Sequence, residues 1–155
     1  MIATNAAPIA VDPHRALVID DDAKVREFIE TILAQLGIKV ASFQMAKEAL
    51  ASLEDGHPGV IFLDVALLRS DAIDVLRGLG ERRYGGVVQL MSGGRQALLE
   101  AVQRIGVRHG VKLAPPLNKP FAREAIVRLI ESLRSPDLAA PPDRGTAAAP
   151  PALGR

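Results

Sequence analysis

Cysteine is absent from all 155 residues, which excludes disulfides, thiolate catalysis and zinc–thiolate sites. Aromatic residues make up only 3%, so any core must be filled by Leu, Ile, Val and Ala. A surplus of either charge is also missing: 19 basic residues face 18 acidic ones, for a formal net charge of +1. That balance argues against a chain held mainly by nucleic-acid phosphates or by an anionic membrane. No apolar run approaches membrane-spanning length. The N-terminus has no basic residue before His14 and Arg15 and is broken by Asp12-Pro13, so it lacks the pattern of a signal peptide. The expectation is a soluble, cytoplasmic chain with no direct nucleic-acid or membrane partner.

What the chain does have is apolar residues, 48% of the total, and a length suited to one domain with a packed core. Its most informative stretch is Gly59-Val60-Ile61-Phe62-Leu63-Asp64. A short, unbroken apolar run of this kind reads as a strand buried on both faces. The aspartate at its end either marks a site, as carboxyl ends of strands do in open α/β sheets, or caps a turn. On this stretch alone the two readings stand level.

Taken in order, residues 1–14 read as an Ala/Pro-rich flexible leader, 15–134 as the folded domain and 135–155 as a disordered Pro/Ala-rich tail. Ala16 to Ile19 predicts a first strand, followed at once by Asp20-Asp21-Asp22. Val25, Phe28, Ile29, Ile32, Leu33 and Leu36 predict an amphipathic helix that stops at Gly37. Ile38 to Ser42 reads as a second strand and Ala46 to Leu53 as a short second helix, broken by Asp55-Gly56-His57-Pro58. After the central strand, Ala72, Val75, Leu76 and Leu79 mark a third helix with Ser70 as a candidate N-cap. Val87 to Met91 predicts a fourth strand ending at Ser92, and Leu98 to Ile105 a fourth helix. Val111 to Leu113 is a short fifth strand limited by Pro115-Pro116, and Phe121 to Leu133 gives the last helix. The order is strand–helix five times over. It implies an α/β fold with parallel strands, right-handed crossovers and helices on both faces, so that the carboxyl strand ends share one edge.

That edge gathers Asp20, Asp21 and Asp22 from the first strand, Asp64 from the third, Ser92 from the fourth and Lys119 just beyond the fifth. Each has a plain structural alternative: a helix cap, a turn residue, a solvated lysine. Together, clustered carboxylates call for a cation to share the space, and donors that are all oxygen favour a hard ion such as magnesium. A hydroxyl and an ammonium opposite that ion suit a phosphoryl group, and an aspartate can itself be the nucleophile. The three histidines, His14, His57 and His109, fall in loops or at helix ends and receive no role.

The pattern resembles the receiver domains of two-component response regulators over roughly residues 15–133. The residues that carry the likeness are Val18-Ile19-Asp20-Asp21-Asp22, Ile61-Phe62-Leu63-Asp64, Met91-Ser92-Gly93 and Asn118-Lys119-Pro120-Phe121. The resemblance implies a flavodoxin-like doubly wound sheet of strand order 2-1-3-4-5, an order that general fold rules already associate with a receiver. It implies that Asp64 accepts a phosphoryl group from a sensor histidine kinase or a phosphotransfer protein in a magnesium-dependent step. Asp20 and Asp21 would hold the metal together with Asp64 and the backbone carbonyl of Ala66. Ser92 and Lys119 would contact the phosphoryl group, and the Lys119–Pro120 bond would be cis. Such a chain takes part in its own phosphorylation and dephosphorylation but is not an enzyme in the ordinary sense. Its further implied partners are a downstream protein target and, through the face of the last two helices, a second copy of itself.

The chain departs from the family at three places. In the loop after Asp64, Leu68 and Ala72 stand where the family commonly has proline and glycine; Pro116 stands where it has a switch aromatic; and the helix after Ser92 reads as longer than typical, which would alter the surface where partners normally dock. A proline cannot swing between buried and exposed rotamers. A looser likeness, over Ser70 to Arg83 with Gln89 to Gly93 and Pro115 to Leu117, is to receivers found ahead of EAL-type cyclic-di-GMP phosphodiesterase domains. No such domain fits here, so the reading is a stand-alone receiver or one separated from its output domain. Two alternatives compete. A degenerate receiver would keep the pocket and act as a phosphorylation-independent interaction module. A magnesium-dependent phosphatase would need an acid two residues after Asp64, where the chain has Ala66.

Overall fold

The computed structural model describes residues 9–67 and 72–134. The expected leader up to residue 8, the tail from 135, Leu68 and the Ser70 cap lie outside the described residues. The elements are β1 (Val11–Ile19), α1 (Ala23–Gln35), β2 (Lys39–Phe43), α2 (Ala46–Ser52), β3 (His57–Asp64), α3 (Ala72–Glu81), β4 (Val87–Ser92), α4 (Gln96–Arg108), β5 (Lys112–Leu113), β6 (Leu117–Asn118) and α5 (Arg123–Arg134). A single 3-10 turn, Leu53–Asp55, extends α2. All strand pairings are parallel and the order is β2-β1-β3-β4-β5, with β6 joined to β4 beyond the end of β5. This is the five-stranded order expected, with one short strand added.

Alternation along the strands sorts the core into two layers. Leu17, Ile19, Ile61, Leu63, Val88 and Leu90 face α3 and α4 through Val75, Leu76, Leu79, Leu99 and Val102. Ala16, Val18, Val60, Phe62 and Met91 face α1 and α5 through Ile29, Ile32, Leu33, Ile126 and Ile130. The central strand is therefore buried on both sides, as its unbroken apolar run requires. At the end of α1, Gly37 takes φ +80°. This lets the Ile38 N–H reach the Leu33 carbonyl at 2.9 Å and the Gly37 N–H reach that of Ala34 at 3.0 Å, a Schellman closure.

Two expectations need correction. β1 begins at Val11, so residues 11–14, read as the end of the leader, are strand. Pro13 is accommodated because the pairing with β3 shifts between Asp12 and Ala16, and Asp12 Oδ1 accepts the His14 N–H at 2.8 Å within that irregularity. Likewise β3 begins at His57, which the sequence reading placed in a breaker. His57 is buried against Tyr84, with ring centroids 5.8 Å apart, and its Nδ1 has no hydrogen-bond partner.

Burial, and then the charge of Arg82, lowers the His57 pKa below its usual 6.5. The unfolded chain therefore takes up this proton first as pH falls. The folded state has its full stability with respect to His57 above the unfolded value and loses it as pH drops below that value toward the folded one. His57→Phe should flatten the decline in melting temperature between about pH 7 and pH 5 relative to wild type. Parallel declines in the two proteins would show that His57 does not contribute.

Candidate functional site

The carboxyl edge of the sheet brings together residues from four separate segments. Asp20 follows β1 directly and is fully buried. Its Oδ1 accepts the Asp22 N–H at 2.9 Å, its Oδ2 accepts the Lys119 ammonium at 2.7 Å, and its main-chain carbonyl accepts Arg26 Nη1 at 2.6 Å. Asp22 turns away and caps α1 by accepting the Lys24 N–H at 2.9 Å. For Asp22 the plain alternative, a helix cap, is what the structure shows. Asp64 ends the central strand, buried, with Oδ1 accepting the Ala66 N–H at 3.2 Å and lying 3.6 Å from Lys119 Nζ.

Ser92 ends β4, one residue past the Met91 that pairs with Asp64. It is buried, and its Oγ accepts the Gly94 N–H at 3.3 Å. That contact leaves the hydroxyl hydrogen available to donate. Lys119 is set by β6: Asn118 pairs with Ser92, and the Lys119 N–H donates to the Ser92 carbonyl at 2.7 Å. The Lys119–Pro120 bond is cis, as the resemblance implied. Beside Lys119 opens a groove lined by Val25, Phe28, Pro120 and Phe121, in which the Phe28 and Phe121 rings meet at 6.1 Å.

The electrostatics follow from this crowding. Asp20, Asp21 and Asp64 place carboxylate oxygens within 4.8 Å of one another. Burial first, and then the charge of Asp20, pushes the Asp64 carboxyl above its ordinary range, against the Ala66 N–H and Lys119, which pull it down. Burial alone would lower Lys119, but its hydrogen bond to Asp20 and the charges of Asp20 and Asp64 outweigh that and raise it. The lysine is thus a secure cation between two buried carboxylates. An all-oxygen donor set of like charge, with only one ammonium inserted, fits a hard divalent cation such as magnesium.

The sequence reading missed Arg26. Its signal was a helix that opens with Lys24 and Arg26 and has no acid in its first turn, contrary to the macrodipole preference. Arg26 there answers the preceding loop by donating to the main-chain carbonyl of Asp20. Gln89 was missed too, although a lone amide in the run Val87 to Met91 demands a buried partner.

Against known proteins, residues 16–131 match the family described as response regulator receiver domain. PilG of Pseudomonas aeruginosa is 27% identical over 123 residues, which cover 78% of this chain and 87% of PilG. Response regulator MprA of Mycolicibacterium vanbaalenii is 34% identical over 122 residues, 78% of this chain and 50% of that protein. Among solved structures, a response regulator signal receiver domain from Bermanella marisrubri superposes with a TM-score of 0.65 at 27% identity, covering 79% of this chain and 98% of that one. The chain spans about half the length of several curated relatives it matches, including MprA and the probable transcriptional regulators ycf27. No helix among the described residues is long and apolar enough to cross a membrane.

Proposed function

The chain belongs to the response regulator receiver domain family of two-component systems, and on that premise we propose that it is a phosphorylation switch with Asp64 as phosphoacceptor. The observation that carries this reading is the Lys119 ammonium held at 2.7 Å from Asp20 and 3.6 Å from Asp64, with three carboxylates converging beside it. The donor is a histidine kinase or phosphotransfer protein that presents a phosphohistidine. An oxygen of the Asp64 carboxylate attacks phosphorus, the P–N bond breaks and its electron pair returns to the imidazole.

Asp20 and Asp21, with Asp64 and the Ala66 carbonyl, are the groups that would hold magnesium; the ion, when bound, neutralises charge on the phosphoryl oxygens. Lys119 stays protonated and moves from Asp20 toward the new anion. Ser92 donates its hydroxyl hydrogen to a phosphoryl oxygen while Gly94 holds its position. The apolar groove at Phe28 and Phe121, adjoining Lys119, offers the donor protein a surface next to the chemistry. The changed charge then biases a surface that a downstream protein reads.

Calorimetric titration with magnesium tests the metal assignment. Asp20→Asn should weaken binding about 10–100-fold, in line with ligand-supporting carboxylates elsewhere. Asp22→Ala, which removes only the helix cap, should cost about 1 kcal/mol of stability and leave magnesium affinity unchanged. Equal affinities in wild type and Asp20→Asn would place the metal elsewhere.

A further inference from the structure

The loop that carries the first carboxylates is held from behind by an arginine. β1 and β2 pair in parallel up to Ile19 opposite Phe43, and one bond follows: the Asp20 N–H donates to the Phe43 carbonyl at 3.0 Å. In a parallel ladder the next rung would bring the Met45 N–H onto the Asp20 carbonyl. That rung is not made. β2 ends at Phe43, and Met45 is already the N-cap of α2. Among the described residues, no main-chain N–H reaches the Asp20 carbonyl. Asp20 is fully buried, and a buried carbonyl left bare costs about as much as a lost hydrogen bond.

Arg26 supplies the donor. Its Nη1 lies 2.6 Å from the Asp20 carbonyl oxygen, while its own main-chain N–H donates to the Asp22 carbonyl at 3.1 Å. One residue thus grips the chain on both sides of Asp21. The Asp20 carbonyl belongs to the planar peptide that ends at the Asp21 Cα, so fixing that plane fixes where the Asp21 side chain starts. The guanidinium does this without displacing the partners of the Asp20 carboxylate, whose Oδ1 accepts the Asp22 N–H and whose Oδ2 accepts the Lys119 ammonium. Asp21 meanwhile brings a carboxylate oxygen within 4.8 Å of those of Asp20 and Asp64, from a loop that has already left the sheet.

We propose that Arg26 is a positioning residue for Asp21: its guanidinium replaces the missing rung between β1 and β2 and so sets where the loop delivers the Asp21 carboxylate beside Asp20 and Asp64. The consequence for magnesium rests on the metal reading given above; the geometric claim stands without it.

The test uses the full chain with Arg26→Lys and Arg26→Met, read by NMR amide exchange and by calorimetric titration with magnesium. Lysine keeps the charge but is one bond shorter and lacks the planar fork; methionine loses both charge and donor. In both variants the Asp20 and Asp22 amides should exchange about tenfold faster than in wild type, the effect of losing one supporting hydrogen bond. The Val65 amide, bonded to the Met91 carbonyl at 3.0 Å on the far side of β3, should keep its rate. Magnesium affinity should fall about tenfold in Arg26→Lys, as for other groups that orient metal ligands. It should fall less in Arg26→Met, where losing a nearby cation favours the metal. An Arg26 that acted only through its charge would leave Arg26→Lys unchanged and make Arg26→Met bind magnesium more tightly, and either result overturns the proposal. So does a lower melting temperature with unchanged affinity, or equal acceleration at Asp20 and Val65. If Arg26→Met does not fold, Arg26→Lys decides; if neither folds, the proposed local role is refuted. If wild type binds no magnesium while the exchange pattern holds, the grip on the loop is confirmed and the metal reading falls.

Discussion

Replacing Asp64 by asparagine should abolish the proposed phosphoryl uptake and, in magnesium-free buffer at neutral pH, should raise the melting temperature. Both effects come from one group. The amide has no anionic oxygen to attack phosphorus, so acceptance ends rather than weakens. The stability gain follows because ionised Asp64 is held against its preference: burial and the Asp20 charge oppose it more than the Ala66 N–H and Lys119 support it. Asparagine keeps the shape and an acceptor for Ala66 while removing the crowded charge, and Lys119 retains its 2.7 Å partner in Asp20. On the proposed reading, Asp64 is thus a position where function costs stability. Thermal melts of the two proteins in chelator check this. A lower melting temperature for Asp64→Asn would mean that the pocket is built around the Lys119–Asp64 attraction, not around repulsion among carboxylates.

Phe62→Ala is the largest expected loss of stability. Phe62 is fully buried on the face of β3 packed against α1 and α5, two residues before Asp64. Truncating a buried Phe typically costs about 3–5 kcal/mol, set against roughly 5–15 for a whole domain. With so few aromatics, the chain has no spare bulk to collapse into the cavity. Phe28→Ala is the natural control. Phe28 is 42% exposed, with its ring 6.1 Å from that of Phe121, so its loss should cost about 0.5–1.5 kcal/mol. Chemical denaturation gives both numbers. Equal costs would contradict the assignment of Phe62 to the core.

The architecture was legible because its signals are local. The run from Gly59 to Leu63 announces a doubly buried strand, the spacing from Val25 to Leu36 a helix, and Gly37 its end. Alternation of the two then forces parallel strands, and parallel strands bring Asp20 and Lys119 together across 99 positions of sequence. What escaped was whatever depends on a distant partner. Pro13 and Pro58 look like breakers, yet both sit in strands where the β1–β3 pairing is irregular, with Asp12 opposite Pro58. β6 has two residues and no periodicity, so nothing local marks it, although it leads directly into Lys119. Gln89 was visible as an anomaly, but its partner, Pro115, lies 26 residues on and can be identified only from the sheet edge. His57 was hidden for the same reason: Tyr84 covers it from another loop.

The most direct test of the account is the intact mass of the wild-type chain after incubation with a small acyl phosphate, with magnesium and with chelator. The account predicts a gain of one phosphoryl group with magnesium and none without it, the modified peptide being the one that ends β3 at Asp64. An unchanged mass in protein that binds magnesium would contradict it and leave a receiver that docks without being phosphorylated.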